Sequence, residues 1–191
     1  MSRLITDYST HIFRHTLSRF ITKFNHPLLT QHQIKTESAN ISFAFNSVPV
    51  FHRVKFTTPE PYCARALDSI VDSIHVQPPK VLKNGERVPA RFDTAFHSFH
   101  ISCVFLISFP GYCVAQVRVG FSIRPRDIPN LFPYGLAPPT HLAYGEWFSP
   151  FTAPEPDHLM YKVKRSIKDS DRIASVIPLA NIRCSVHQCC G

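Results

Sequence analysis

The clearest pattern in the chain is a two-residue repeat within residues 111–148, where Val117, Val119, Phe121 and Ile123 alternate with Gln116, Arg118, Gly120 and Ser122. Successive side chains leave opposite faces of a pleated strand, so this alternation predicts a half-buried β-strand with the apolar set facing a core. A second strand is expected over residues 141–148, which carry the single tryptophan. Between them residues 124–139 hold five prolines and read as a long irregular loop. Residues 150–156 read as another loop. Further on, Tyr161 and Val163 alternate with Lys162 and Lys164, predicting a strand over 160–165 with one basic face. Residues 167–172 form a charged turn, 174–177 a strand, and 179–186 either a last strand or a helical turn.

A different period opens the chain. Leu4, Ile5, Tyr8, Ile12, Phe13, Leu17, Phe20, Ile21 and Phe24 fall at helical spacing, with Arg3, Arg14, Arg19 and Lys23 mostly between them. This predicts one amphipathic helix, ended by Asn25-His26-Pro27. Residues 31–40 are polar and expected to be a loop. Ile41, Phe43 and Phe45 alternate with polar or small residues and 50–56 continue in apolar style, so one or two short strands are expected before Pro59 and Pro61 interrupt. Residues 64–74 are taken as a short helix from the spacing of Ala66, Leu67, Ile70, Val71 and Ile74, although 70–71 and 74–76 would also serve as strand pieces. Asn84-Gly85 is the preferred pair for a tight hairpin turn, which predicts arms over 80–82 and 87–92. Residues 97–110 carry no Lys, Arg, Asp or Glu, and read either as a fully buried strand or as sequence never selected to fold here.

Composition narrows the class. Seventeen prolines against six glycines argue against long helices, and sixteen phenylalanines suit strands and a packed interior. The formal charge of +8 suits an anionic partner such as nucleic acid or an acidic membrane surface. Because that excess is spread over both halves, with no consecutive basic tract, it serves equally well as a solubility feature. Six cysteines follow no recognisable signal peptide, so free thiols are expected. No apolar run approaches the roughly 18 residues of a membrane span.

Several ordered blocks carry a resemblance. They are Val76-Gln77-Pro78-Pro79-Lys80-Val81, Asn84-Gly85, residues 90–94, residues 111–119, Leu142-Ala143-Tyr144-Gly145-Glu146-Trp147-Phe148, Met160-Tyr161, and residues 174–178 with Arg183 and His187. Over residues 43–187 the chain resembles the C-terminal region of fungal Plavaka-type transposon proteins, relatives of the CACTA transposases. The resemblance implies that the transposase core is missing, and that the β domain is a small antiparallel barrel-like fold, SH3- or BAH-like by analogy, of the kind used for chromatin or partner binding. The chain departs from the family pattern at 97–110 and at 188–191, where it has the character of noncoding read-through or of a frame change.

Candidate chemistry is sparse. Cys184, His187 and Cys189, with Cys190, offer thiolates and an imidazole at short spacing, a weak zinc set whose spacing fits no ordinary site. Two-metal chemistry would need Asp68, Asp72, Asp93, Glu146 and Asp157 to converge, and no motif brings three together. A Cys/His nucleophile would pair Cys113 or Cys63 with His141 or His187. Tyr144, Glu146 and Trp147 form a candidate aromatic cage for a methylated lysine, weakened because Trp147 falls on the other face of its strand. Arg118, Lys162, Lys164, Arg165 and Arg183 are the candidate nucleic-acid contacts, following phosphates without reading bases.

The resulting expectation is an α+β, mainly β protein. A helical arm and linker over 1–40 precede a β-rich domain over 41–187, and 188–191 form an irregular tail. It is expected to act without cofactor or catalysis as a transposable-element-derived remnant that binds DNA or a nuclear protein. The alternatives are a mitochondrially imported protein with residues 1–24 as presequence, and a cryptic metal-dependent enzyme.

Overall fold

The computed structural model describes residues 2–59, 69–98, 112–133, 135, 137–151, 154–157 and 161–186. Helices α1 (Ser2–Tyr8), α2 (Phe13–Asn25) and α3 (Gln31–Ser38) come first. Strands β1 (Val50–Phe51), β2 (Arg53–Pro59), β3 (Ser69–Gln77), β4 (Lys80–Val81), β5 (Arg87–Val88), β6 (Arg91–Phe92), β7 (Thr94–Ser98) and β8 (Tyr112–Phe121) follow. A helical turn α4 (Ile128–Leu131) precedes β9 (Leu142–Trp147), β10 (Ile167–Lys168), β11 (Asp171–Arg172), β12 (Ala174–Pro178) and β13 (Ile182–Ser185). The mainly β character with some helices is as expected. The barrel is not: among the described residues the strands form open antiparallel sheets, the largest in the order β12-β9-β8-β7-β13 with β1 also on β8, and a second in the order β2-β3-β6.

The two sheets share bent strands. Only His52 separates β1, which pairs with β8, from β2, which pairs with β3. Only Asp93 separates β6, which pairs with β3, from β7, which pairs with β8. Both corners are tied to adjacent residues of β3, because the Val76 amide donates to the His52 carbonyl at 2.9 Å and the Asp93 amide to the His75 carbonyl at 3.0 Å. Buried Asp72, also on β3, accepts from the Ser73 amide and from the Ser185 amide of β13. Residues 64–74 are therefore not a helix where they are described, since β3 begins at Ser69 and pairs along its length with β2. Tertiary pairing overrides a short helical spacing when the same residues satisfy both patterns.

The strands expected from the alternation over 116–123 and over 141–148 are observed as β8 and β9, at the centre of the larger sheet. One detail differs. Between Val117 and Val119 the register slips, with Val117 opposite Gly145 and Val119 opposite Tyr144, so Arg118 is the extra residue of a β-bulge. Val119 and Phe121 share a face with Leu142 and Tyr144, whereas Val117 falls with Ala115 on the other. All of Val117, Val119 and Phe121 are buried all the same, because the sheet is covered on both sides.

Helix α2 covers the first face. Phe13 packs edge-on to Phe121 at 5.0 Å and beside Tyr144 at 5.9 Å, and Phe13, Leu17 and Ile21 are at most 1% exposed. Each such buried side chain stabilises the fold by about 1.5–3 kcal/mol. The single predicted helix is broken in two at Ser9, whose φ of 53° is incompatible with a continuing right-handed helix. Residues 31–38 are helical, not loop, because Thr30 and Gln33 form a capping box. Phe43 and Phe45 pack on each other at 5.3 Å without joining a strand.

Residues 160–165 also differ from expectation. Among the described ones only Arg165 makes a bridge, to Phe148. The charged turn at 167–172 is a hairpin, β10–β11, turned through the positive φ of Asp169 and Ser170. The loop at 124–139 contains a 3₁₀ turn over Pro125–Asp127 followed by α4. The hairpin at Asn84-Gly85 forms, but as a three-residue turn in which the Gly85 amide donates to Leu82 and Gly85 alone has positive φ. Its second arm stops at Val88, and Arg91–Phe92 pair with β3 instead. Of the charge-free stretch, His97 and Ser98 complete β7, while 99–110 lie outside the described residues, as do 187–191.

Candidate functional site

All six residues of β9 are buried, although one of them is an acid. Alternation sends Leu142, Tyr144 and Glu146 to the helix-covered face, and a carboxylate buried there must be paired to remain charged. Three arginines supply that pairing. Arg172 Nη1 lies 2.6 Å from Glu146 Oε2, Arg165 Nη1 3.3 Å from the same oxygen, and Arg118 Nε 3.8 Å from Oε1.

Each arginine arrives by a different local device. Arg118 is the bulged residue of β8, and the bulge aims it across the helix face, where its Nε and Nη2 donate to the Tyr8 carbonyl at 3.1 and 3.0 Å. That carbonyl is the C-terminal end of α1, which favours a cation. The guanidinium also lies 4.0 Å from the Phe92 ring centroid. Arg165 is held against the end of β9, because Ser166 donates to the Trp147 carbonyl and Ser149 to the Lys164 carbonyl, and it sits 5.4 Å from the Phe148 ring. Arg172 is returned to the same place by the β10–β11 hairpin, in which Lys168 and Asp171 stand opposite one another.

The cluster thus sets three guanidiniums against one carboxylate. Burial weakens the hold of Arg118 on its proton, Glu146 opposes that, and Arg172 and Arg165 add to it. Tyr144 beside them is kept a neutral phenol, raised by burial and then by Glu146. Arg118 is buried, but the Arg165 and Arg172 side chains are 37% and 46% exposed, so the charge excess reaches the surface there.

The five arginines and lysines expected to follow a phosphate backbone are not on one face. Arg118 is sealed beneath α1 and is a structural cation, which corrects its assignment as a contact. Lys162 is paired with Glu155 at 3.4 Å. Arg183 is on β13, where it donates to Ser98 Oγ at 2.9 Å, three strand spacings or ~14 Å from β9. Arg165 and exposed Lys164 remain, joined by Arg172, which the sequence reading passed over.

The aromatic cage does not form. Adjacent residues of a strand point oppositely, so Tyr144 and Glu146 share the helix-covered face while Trp147 turns away, donating from Nε1 to Ser175 Oγ at 2.8 Å and meeting His97 edge-on at 5.6 Å. Burial, with a smaller effect of Arg183, lowers the His97 pKa to about 4, so the imidazole is neutral at physiological pH.

The metal and nucleophile sets fare no better. Cys184 is disulfide-bonded, which corrects the expectation of a free thiol there and its place in the zinc set, whereas Cys113 is outside any disulfide as expected; His187 and Cys189 lie outside the described residues. Asp68 and Cys63 lie there too. Asp93 is a corner clasp: Oδ2 accepts from the His75 amide at 2.8 Å and faces its ring Nδ1 at 3.0 Å, and Oδ1 accepts from Arg91. Burial works against its ionisation, yet these bonds hold the carboxyl below the usual range. Among the described residues no three of His, Cys, Asp and Glu gather where a metal ion could be held. Cys113 is near the start of β8 and His141 beside its far end, ~27 Å away along the strand.

Compared with known proteins, the chain matches no family model, no curated protein and no solved structure. Among the described residues no helix is long and apolar enough to cross a membrane.

Proposed function

We propose that this chain is a non-catalytic, transposable-element-derived nuclear protein whose β-rich domain binds duplex DNA by phosphate contacts. The observation that carries the reading is the Glu146 cluster. One buried carboxylate orients two half-exposed guanidiniums, Arg165 and Arg172, and leaves them with more positive charge than it neutralises. A preformed pair of planar donors is suited to phosphate oxygens, with little side-chain freedom left to lose on binding. Lys164 lies beside them, and the chain's overall +8 favours encounter with a polyanion. The resemblance of the sequence blocks to Plavaka-type proteins supports the origin.

The presequence alternative is the weaker one. A presequence is removed on import, yet Phe13, Leu17 and Ile21 belong to the same hydrophobic core as β8 and β9. The reading is tested by fluorescence anisotropy of the full chain against mixed-sequence duplexes at low salt. Sequence-tolerant, salt-sensitive binding that weakens on Arg165→Ala with Arg172→Ala supports it. No affinity for any duplex removes it.

A further inference from the structure

The β4–β5 hairpin belongs to neither sheet, since its two strands pair only with each other. Pro79 and Pro89 bracket it, and their missing amides stop its ladder from continuing into β3 and β6. Every residue from 79 to 87 is exposed, including Val81 at 66% and Leu82 at 37%. A tight turn at Gly85, φ +83°, and the Asn84–Glu86 hydrogen bonds at its tip keep the ribbon narrow.

Its faces are unusual for a strand pair. Register puts Lys80 opposite Val88 on one face and Val81 opposite Arg87 on the other, so each face carries one cation and one valine. Neither is an apolar face waiting for this protein's own core. Lys83 adds a third cation at the turn, against Glu86 alone. A flat anionic surface, such as a membrane, would use one face. Cations on both faces are satisfied together only in a cleft walled by phosphate on two sides.

We infer that this hairpin is an arm that enters the major groove of duplex DNA tip first, with Lys80, Lys83 and Arg87 on the flanking phosphates. The major groove, about 12 Å wide and 8.5 Å deep, admits a two-stranded ribbon. From Pro79 to Lys83 the arm extends ~13 Å, longer than the groove is deep. The inference rests on the duplex-DNA reading but uses a different part of the surface from Arg165 and Arg172.

The test compares the wild-type chain, Lys80→Ala/Lys83→Ala/Arg87→Ala and Arg165→Ala/Arg172→Ala, titrating a fluorescent duplex across a salt series. Three lost phosphate contacts lower the slope of log K against log salt by about 2.7, and two by about 1.8. The arm variant is expected to lose that slope and on the order of 10- to 100-fold in affinity at about 0.1 M salt. Bulky C5 substituents on the cytosines, which fill the major groove, are expected to weaken the wild type by about the same factor and the arm variant hardly at all. A wild-type slope in the arm variant overturns the arm while the guanidinium pair stands or falls by its own variant. Loss in the arm variant alone upholds the arm and moves the interface away from Glu146. Insensitivity of the wild type to C5 substituents overturns groove entry. Absence of duplex binding, with or without binding to anionic vesicles, overturns both readings.

Discussion

Two basic regions of this protein handle their cations in opposite ways. Around Glu146, Arg118, Arg165 and Arg172 turn inward to one carboxylate, Arg118 from a buried position and the other two from the surface. On the β4–β5 hairpin, Lys80, Lys83 and Arg87 turn outward in a segment with no core of its own. The first group stabilises the fold and presents only its edges to solvent. The second lies outside the core, with every residue from 79 to 87 exposed. A net charge of +8 cannot distinguish the two uses, whereas the burial of a single acid can.

The most damaging way to break the contrast is Glu146→Ala. It leaves buried Arg118 without its carboxylate, at an expected ~3 kcal/mol or more of unfolding free energy. Urea denaturation of the variant checks this, and a loss under about 0.5 kcal/mol would show that the cluster does not hold the sheet. The hairpin triple variant in the same assay is expected to stay within about 0.5 kcal/mol of wild type.

A pH scan sharpens the comparison from the other face of β9. The folded His97 imidazole titrates at about 4, below its ordinary 6.5, so the unfolded chain takes up the proton first. Its contribution to stability is complete above the unfolded value and lost as pH falls from 6.5 to about 4, by roughly 3 kcal/mol. Urea midpoints at several pH values should follow this slope in the wild type and flatten in that window in His97→Gln.

Smaller effects follow at the edge of the cluster. Arg165→Ala and Arg172→Ala remove side chains 37% and 46% exposed, where solvent screens the pairing, and each should cost about 1 kcal/mol or less. Equal losses for these and for Arg118→Ala would mean that burial does not rank the three. Gly85→Ala is expected to act only locally, straining the turn by about 1 kcal/mol with no loss of global stability. Because the hairpin carries no core, backbone order parameters of residues 80–88 should fall while the thermal midpoint stays put.

Much of the central sheet was legible because β8 and β9 combine strict alternation with residues that remain inside. The bulge was not, since Val117, Val119 and Phe121 read as an unbroken period and the slip shows only in the pairing with Gly145 and Tyr144. Helix α3 was announced by Thr30 and Gln33, but with Ile34 its only large buried side chain it offers little apolar periodicity to find. The arginine cluster was half visible. Glu146 on the inward face with Leu142 and Tyr144 signals a buried acid that needs cations. Its partners lie 19 and 26 residues on, and 28 back, so only the topology of β8, β9 and β11 could name them. Alternation likewise sufficed to separate Trp147 from the cage, while nothing local marks Arg118 as sealed beneath a helix that ends 110 residues earlier.

The one-residue corners at His52 and Asp93 have a consequence for how the molecule comes apart. Since β1 runs into β2 and β6 into β7 through shared backbone, neither sheet has a boundary along which it can open alone. Peeling β3 away would release both corners at once. The protected amides of Val76 and Asp93 are therefore expected to exchange with solvent deuterium only through whole-molecule unfolding, at one common rate, whereas the hairpin beyond them exchanges from the native state.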